Sequence, residues 1–204
     1  MTALDDRPLG LDSSARAALF TDAHTVQHFS PTPVSDAQLT EIWDLARWAP
    51  TAANLQPLRL LFVRSAQGRE RLLPLLDEKN RDRAATAPVT AVLARDDRFH
   101  DAIPQVAPFL SGLQPVLDGN AEMRAQMGGY SAALQAGYLI LAVRALGLAA
   151  GPMAGFDKAG VDAEFFAGTS WRSELVVNIG HPATEDAYRP RMPRLAAEDV
   201  VRFA

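Results

Sequence analysis

Apolar and polar positions alternate along the chain in two ways, and each way predicts one kind of element. Between residues 39 and 46 the apolar side chains recur at helical spacing, which is typical of a helix with one buried face. Ser35 and Gln38 fit a capping box at the start of this helix, and Pro50 ends it. Three short apolar runs predict buried strands, at 59–64, 88–95 and 173–180.

Weaker patterns predict the remaining elements. Further helices are expected at 15–22 after Ser13 and Ser14, at 66–87 with a break near Pro74, at 129–146 before a C-terminal cap at Gly147, and at 158–166 after Asp157. Residues 149–157 predict a loop punctuated by glycine, and 96–126 predict an irregular segment that shapes a substrate pocket or lid. Few strands among long helices indicate an α+β fold in a single domain, 1–204, in which 1–14 form a flexible N-terminus.

Composition narrows the class of protein. A net charge of −4 gives no reason to expect a nucleic-acid surface, and the absence of cysteine excludes disulfides, thiolate metal sites and a cysteine nucleophile. Residues 127–150 carry one formal charge, Arg144, but their glycine, serine and glutamine residues favour a buried helix over a membrane span. The first twenty residues lack the pattern of a signal peptide. We therefore expect a cytoplasmic protein without nucleic-acid or membrane partners.

Few side chains suggest chemistry by themselves. His24 and His28 have the spacing of a zinc-binding helix, but no glutamate lies between them and no third ligand is obvious, so two loop histidines are favoured. No serine sits in a nucleophile elbow, and the carboxylates are scattered. If the chain is an enzyme, we therefore expect a cofactor to supply the chemistry.

Two segments suggest a binding site. The stretch WAPTAANLQP, 48–57, combines small residues with two amides, which is more than a plain turn requires. Arg189, Arg191 and Arg194 lie among prolines and form either a solvated basic tail or a stiffened segment that presents a guanidinium to a phosphate. Near 152–157, Gly155 either is part of a flexible turn or leaves room for a flat ligand against the backbone.

Five pieces occur in one order: AHTVQHF (23–29), APTAANLQP (49–57), Asn80 with Arg83, PMAGFD (152–157) and RPRMP (189–193). In these pieces the chain resembles the nitroreductase family of flavin enzymes. It looks most like the branch of NAD(P)H oxidoreductases that is grouped with malonic-semialdehyde reductase. The resemblance implies a nitroreductase-like fold, with a central, mostly antiparallel sheet flanked by helices, in an interlocked homodimer.

The resemblance also implies an activity. One FMN would bind per subunit at the dimer interface, with NADH or NADPH as the electron donor. Hydride would pass through flavin N5, in a ping-pong reaction, to a small carbonyl, nitro or quinone acceptor. The most specific acceptor implied by the branch is 3-oxopropanoate (malonic semialdehyde), which would be reduced to 3-hydroxypropanoate. No catalytic side chain and no metal are expected, because the flavin carries the chemistry.

By position, the resemblance implies cofactor-binding roles for residues of every piece. They are His24, Thr25, Gln27, Pro50, Thr51, Asn54, Gln56, Asn80, Arg83, Pro152, Met153, Ala154, Gly155, Arg189 and Arg191. The two arginines would bind the FMN phosphate, with the histidine and threonine nearby. The Asn–Arg pair would address the pyrimidine edge or the ribityl chain. Residues 50–56 would line the flavin of the partner subunit, and the backbone of 152–155 would pass flavin N5.

The first piece departs from the family pattern. Ala23, His24 and Gln27 stand where the family usually has basic residues, and Gln27 would face flavin N1 and the C2 carbonyl without a charge. Ala154 stands where some members have glutamate, so only its backbone can contribute. The weakened first piece is the feature that favours the alternative, a non-catalytic flavin-binding dimer of the same fold.

Overall fold

The computed structural model of the protein describes residues 10–184 and 187–204. Within these ranges one sheet forms, from β1 (Leu58–Val63), β2 (Val89–Asp96), β3 (Ala149–Met153) and β4 (Trp171–Gly180). The spatial order is β1-β2-β4-β3, and every neighbouring pair is antiparallel. The predicted α+β class and antiparallel sheet are confirmed.

Helices surround this sheet. In chain order, the α-helices of the described ranges are α1 (Ser13–Arg16), α2 (Asp36–Ala46), α3 (Ala66–Leu72), α4 (Glu78–Thr86), α5 (Ile103–Val106), α6 (Leu113–Gly119), α7 (Ala121–Ala145), α8 (Lys158–Phe165) and α9 (Ala197–Val200). A π-helical turn, Ala17–Thr21, continues α1. No helix in the described part of the chain is long and apolar enough to cross a bilayer.

The position of β2 at the centre of the sheet explains why its sequence is a nearly continuous run of apolar residues. Ala91 and Leu93 belong to a core cluster with α2 and α7, whereas Val92 and Ala94 belong to a cluster with α3 and α8. Successive side chains of a strand point to opposite faces, so a strand covered by helices on both faces has no polar positions to alternate with. The buried helix expected within 127–150 is α7, which packs on the first of these faces.

Several local predictions are confirmed. The capping box of α2 forms, since the Ser35 hydroxyl accepts from the Gln38 N–H at 3.2 Å and the Gln38 side chain accepts from the Ser35 N–H at 3.0 Å. Asp157 caps α8 by accepting from the Gly160 N–H at 3.0 Å. A 3₁₀ turn at Leu73–Leu75 interrupts the helix near Pro74. Gly147 has a φ of 71°, as a glycine just beyond a helix end requires.

The N-terminal prediction is partly wrong. Residues 1–9 of the expected flexible N-terminus lie outside the described residues. Ser13 and Ser14 do not precede the first helix but begin it, because Asp12 supplies the cap by accepting from the Ala15 N–H at 2.7 Å. A carboxylate is as good an N-cap as a hydroxyl and also favours the positive end of the helix.

The prediction that residues 149–157 form a loop is also wrong, because 149–153 are the edge strand β3. Gly151 and Pro152 suggested a break, but an edge strand tolerates proline, since its outward N–H has no ladder partner to lose. The start of the long helix is likewise earlier than Gly129. Helix α7 begins at Ala121, where Asn120 accepts from the Met123 N–H at 3.0 Å.

Residues 96–126 are better ordered than their pattern suggested. They contain two 3₁₀ turns, Phe99–Ala102 and Pro108–Leu110, together with α5, α6 and the start of α7. The buried His100 ring lies 2.9 Å from Asp118 and links the first of these turns to α6. The hydrogen bond to His100 is the main cause of a lowered pKa at Asp118. Helices this short have little periodicity, so tertiary contacts rather than local pattern define them.

Candidate functional site

The first and last pieces of the pattern lie side by side. Val26 forms an antiparallel bridge with Tyr188, and the Gln27 N–H donates to the Ala187 carbonyl at 2.7 Å. This pairing brings the 23–29 segment beside the arginines of the tail. The Thr25 carbonyl accepts from the Gln27 side chain at 3.5 Å, so both residues belong to the paired segment.

A basic cleft of about 350 Å³ lies beside this pairing. Its lining residues come from three distant parts of the chain, and they are Gln27, His28, Lys79, Asp82, Arg83 and Arg189. Three cations face one carboxylate, so the cleft suits an anionic or polyhydroxylated ligand. The structure thus brings together three of the predicted site residues: Gln27, Arg83 and Arg189.

Arg191 reaches the other side of the same segment. Its Nη2 donates to the Ala23 carbonyl at 3.2 Å and lies 3.3 Å from His24 Nδ1. That nitrogen also lies 2.9 Å from the Asp22 carbonyl, so Nδ1 either donates to that carbonyl or accepts from Arg191, according to the tautomer of the ring. In either tautomer the Arg191 guanidinium lies at this segment, and a guanidinium suits a bound anion. The His24 ring also packs on Tyr188, with centroids 4.4 Å apart.

Gly155 is held by Asp77 and Asn80, and we call this set of contacts the clamp. Its carbonyl accepts from Asn80 Nδ2 at 2.8 Å and from the Asp77 N–H at 3.2 Å. A Cβ at this glycine would overlap the Asp77 carboxylate and lie 2.7 Å from Asn80 Nδ2. The neighbours Asp77 and Asn80 therefore require that Gly155 has no side chain. The Asn80 amide already binds the protein backbone.

The segment after β3 presents backbone donors. Ala154 is exposed and Gly155 half-buried, and neither N–H donates to an acceptor in the described part of the chain. The Met153 side chain is buried and its sulfur accepts from Asn178 at 3.7 Å, so the predicted role of Met153 rests on its backbone. Pro152 has no N–H. The 152–155 segment thus offers backbone N–H groups. Such donors suit a flat ligand that has acceptor atoms on its edge.

The strip 50–56 has a strained backbone. Ala53, Asn54 and Gln56 have φ values of 51°, 56° and 46°, in the left-handed region that residues other than glycine rarely adopt. Each such residue costs about 1–3 kcal/mol and persists only where surrounding contacts enforce it. Backbone strain of this kind concentrates at functional sites, so it supports a functional role for the strip 50–56.

Two buried polar residues of α7 hold the strip and the start of β1, which follows it. Ser131 Oγ accepts from the Ala52 N–H at 3.1 Å, and Gln135 Oε1 accepts from the Leu58 N–H at 3.0 Å. Sequence reasoning missed both as site residues. The available signal was two polar side chains four positions apart, hence on one face, of an otherwise apolar helix.

The amides of the strip bind protein atoms. Asn54 Nδ2 donates to the Val106 carbonyl at 2.7 Å, and Gln56 Nε2 donates to Asn54 Oδ1 at 3.1 Å. The Gln56 N–H donates to the Thr51 hydroxyl at 3.3 Å, and Pro50 is exposed. Asn54 therefore ties the strip to the 96–126 segment. Between described residues, no hydrogen bond joins this strip to the basic cleft.

Replacing Gln135 with leucine is expected to lower the free energy of unfolding by about 1–2 kcal/mol, because the buried Leu58 N–H loses its acceptor. The loss stays at the lower end of the usual range, since Gln135 Nε2 is itself buried without a partner in the described residues. Urea unfolding measures the change. Gln126→Leu, at an exposed position of the same helix, is the control. Equal stability of the two variants would contradict the anchoring role.

The zinc alternative finds no support in the described residues. His24 and His28 lie in a loop rather than on a helix, and neither belongs to a group of three possible metal ligands. The one such group in the described ranges is His100, Asp101 and Asp118. Arg98 already pairs with both of its carboxylates, at 2.7 and 3.6 Å.

Residues 21–181 match the family model described as the nitroreductase family, so the chain belongs to that family. A protein of Streptomyces coelicolor, provisionally named an NADH dehydrogenase/NAD(P)H nitroreductase, is 59% identical over 194 residues, which are 95% of this chain and 96% of that protein. A protein of Leptothrix cholodnii with a similar name is 48% identical over 187 residues, covering 91% of this chain and 93% of that protein. The predicted family is confirmed.

Solved structures share the fold. A nitroreductase-family protein of Streptococcus pneumoniae superposes with a TM-score of 0.80 at 23% identity, covering 91% of this chain and 98% of that chain. A protein of Exiguobacterium sibiricum, provisionally named a nitroreductase and solved in complex with FMN, gives a TM-score of 0.79 at 20% identity. That match covers 96% of this chain and 98% of the other. The predicted nitroreductase-like fold is confirmed.

Proposed function

We propose that this protein is an FMN-dependent NAD(P)H oxidoreductase that reduces a small acceptor. The observation that carries the proposal is the pair of N–H groups at Ala154 and Gly155, which meet no acceptor among the described residues, at a glycine that admits no side chain. Asn80, which binds the Gly155 carbonyl, belongs to the same helix α4 as Lys79 and Arg83 of the basic cleft, so we place the ribityl chain of a flavin whose ring lies at Gly155 along this cleft. The names of the relatives from Streptomyces coelicolor and Leptothrix cholodnii, and the FMN complex of the Exiguobacterium sibiricum protein, support the same cofactors.

Each group of residues then has one task. Arg189 and Arg191 bind the phosphate, with His24 and Thr25 beside them, because guanidinium groups suit a dianion. Arg83 addresses the ribityl chain or pyrimidine edge, while Asn80 holds the Gly155 carbonyl so that the N–H groups of 154 and 155 face outward. The chemistry that bound FMN supplies is hydride transfer at N5 between NADH or NADPH and the acceptor. The protein supplies position and an open ring face.

A homodimer completes this proposal. Edge strand β1 borders an apolar groove of about 710 Å³, whose lining includes Trp43, Leu60, Phe62 and Trp171. The C-terminal tail carries exposed apolar residues, among which Phe203 is 96% exposed. We propose that the tail of one protomer lies along β1 of the other, and that the strip 50–56 lines the partner's flavin. Single isolated domains rarely expose so many large apolar side chains.

The acceptor is a small carbonyl, nitro or quinone compound, and 3-oxopropanoate is the most specific candidate. We also place the protein in the cytoplasm and treat 1–204 as one domain. The alternative, a non-catalytic flavin-binding dimer, is favoured by one observation, the neutral Gln27 in the basic cleft.

The visible spectrum of purified protein tests the cofactor, because bound FMN gives a yellow protein. Turnover of NADH and NADPH, with and without aldehydes, quinones and nitroarenes, tests the activity. A colourless protein that takes up no FMN contradicts the proposal. A yellow protein that is not bleached by NADH or NADPH indicates the non-catalytic dimer instead.

Replacing Gln27 with arginine is expected to raise the midpoint potential of bound FMN. The side chain lines the basic cleft, and a cation stabilises the anionic reduced flavin more than an amide does. A tenfold stabilisation corresponds to about 30 mV in a two-electron couple. Redox titration measures the shift, and His28→Arg, on the same cleft, controls for the general effect of added charge. An unchanged or lowered potential in Gln27→Arg would count against this role.

A further inference from the structure

Arg144 lines a second cleft, of about 230 Å³, which we call the inner cleft. The cleft also includes Asp22, Ala23, His24 and Tyr188. Arg144 lies in the last turn of α7, and its Nη1 donates to the Leu19 carbonyl at 3.0 Å. A guanidinium has five N–H donors, and within the described residues this bond uses one of them.

The inner cleft and Arg191 share the segment at His24. Arg191 lies 3.3 Å from His24 Nδ1 and donates to the Ala23 carbonyl, and both of these residues line the inner cleft. Burial, and secondarily the charge of Arg191, lower the pKa of Arg144, so the two guanidiniums repel each other. Asp22 is the one carboxylate among the described lining residues, and it is exposed.

Two repelling cations are stabilised when an anion binds between them. The family usually has a basic residue in the first segment, and Ala23 lies there in this chain. We propose that Arg144 is a third guanidinium for the FMN phosphate, reaching the segment at His24 from α7 and replacing the charge that the first segment lacks. This inference rests on the proposed function and adds a residue that the five-piece pattern does not contain.

The inference predicts selectivity for the phosphate. Arg144 contributes to the affinity for FMN but not to the affinity for riboflavin, which has the same ring and ribityl chain without the phosphate. A purely structural arginine, which only fastens α7 to the turn at Leu19, would affect both ligands alike. The ratio of the two affinities therefore separates the two roles.

The test compares FMN and riboflavin binding by fluorescence quenching in wild type, Arg144→Met and Arg144→Lys. Arg144→Met is expected to weaken FMN binding about 10- to 100-fold, as the loss of a charge-assisted hydrogen bond does, while riboflavin binding stays within about twofold. Arg144→Lys is expected to lose less than Arg144→Met, because it keeps the charge. Arg69→Met is the matched control, since Arg69 also donates to backbone carbonyls but lines neither cleft.

Unchanged FMN affinity in Arg144→Met, or equal losses for FMN and riboflavin, overturns the inference and leaves the proposed function intact. A wild-type protein that binds neither flavin overturns the proposed function, and this inference with it. Circular dichroism reports whether each variant is folded, and Arg144→Lys, which keeps the charge, carries the comparison if Arg144→Met does not fold.

Discussion

Replacing Gly155 with valine is expected to reduce FMN affinity at least tenfold and to lower NAD(P)H turnover accordingly. A Cβ at this position overlaps the Asp77 carboxylate and crowds Asn80 Nδ2, and both residues bind the Gly155 carbonyl. Forcing a side chain into such a packed place costs about 1–3 kcal/mol. The clamp must open, and the N–H groups at 154 and 155 then lose their orientation.

Isothermal titration with FMN measures this loss. Gly155→Ala should fall between wild type and Gly155→Val, because it adds the clashing Cβ without the branches. Gly137→Ala is the control, since a Cβ at Gly137 meets no atom within 4 Å. Wild-type FMN affinity in Gly155→Val would show that the segment 152–155 does not border the flavin.

Polar substitution of the tail is expected to convert the proposed dimer to monomers and to remove FMN with it. The triple variant Leu195→Ser, Val200→Ser and Phe203→Ser removes three exposed apolar side chains. Burying each one in the partner's groove would stabilise the dimer by roughly 1.5–3 kcal/mol. The dimer dissociation constant should therefore rise by about three orders of magnitude or more.

Analytical ultracentrifugation measures the oligomeric state across a concentration series, and the flavin absorbance of each species shows whether monomers retain FMN. Phe109→Ser is the control, because Phe109 is 83% exposed but lies outside the tail. A triple variant that remains dimeric would place the subunit interface elsewhere. A monomer that keeps FMN would contradict the contribution of the partner's strip 50–56.

Local signals determined most of what could be predicted of the fold. The capping box at Ser35, the cap at Asp157 and the buried run of β2 each depend on residues within a few positions of one another. Strand β3 depends instead on pairing with β4, which is distant in the chain, so the glycine and proline of 149–153 suggested a loop. The start of α7 was misplaced for a related reason, because a Cβ at Gly128 would lie 2.6 Å from the Phe99 ring. That glycine serves close packing and does not break the helix.

The candidate site likewise contains residues that the sequence could identify and residues that only contacts between distant segments identify. The resemblance grouped Gln27, Arg83 and Arg189, and the structure places them on one cleft. It did not include Ser131 or Asp77, which position the site through contacts with the backbone of distant segments. Such supporting residues have no fixed spacing from the groups that they hold, and only the folded chain identifies them. The roles in binding FMN stay predictions for all of these residues.

The proline of β3 has a consequence for how copies of this chain can associate. A sheet has two edges, and each edge with free N–H and C=O groups can recruit a further strand. Pro152 removes a donor from the β3 edge, which leaves β1 as the better template. In the proposed dimer, a molecule with one receptive edge and one donor tail would satisfy both by reciprocal exchange with a single twin. A two-fold exchange of this kind would close at two copies instead of continuing into a fibre.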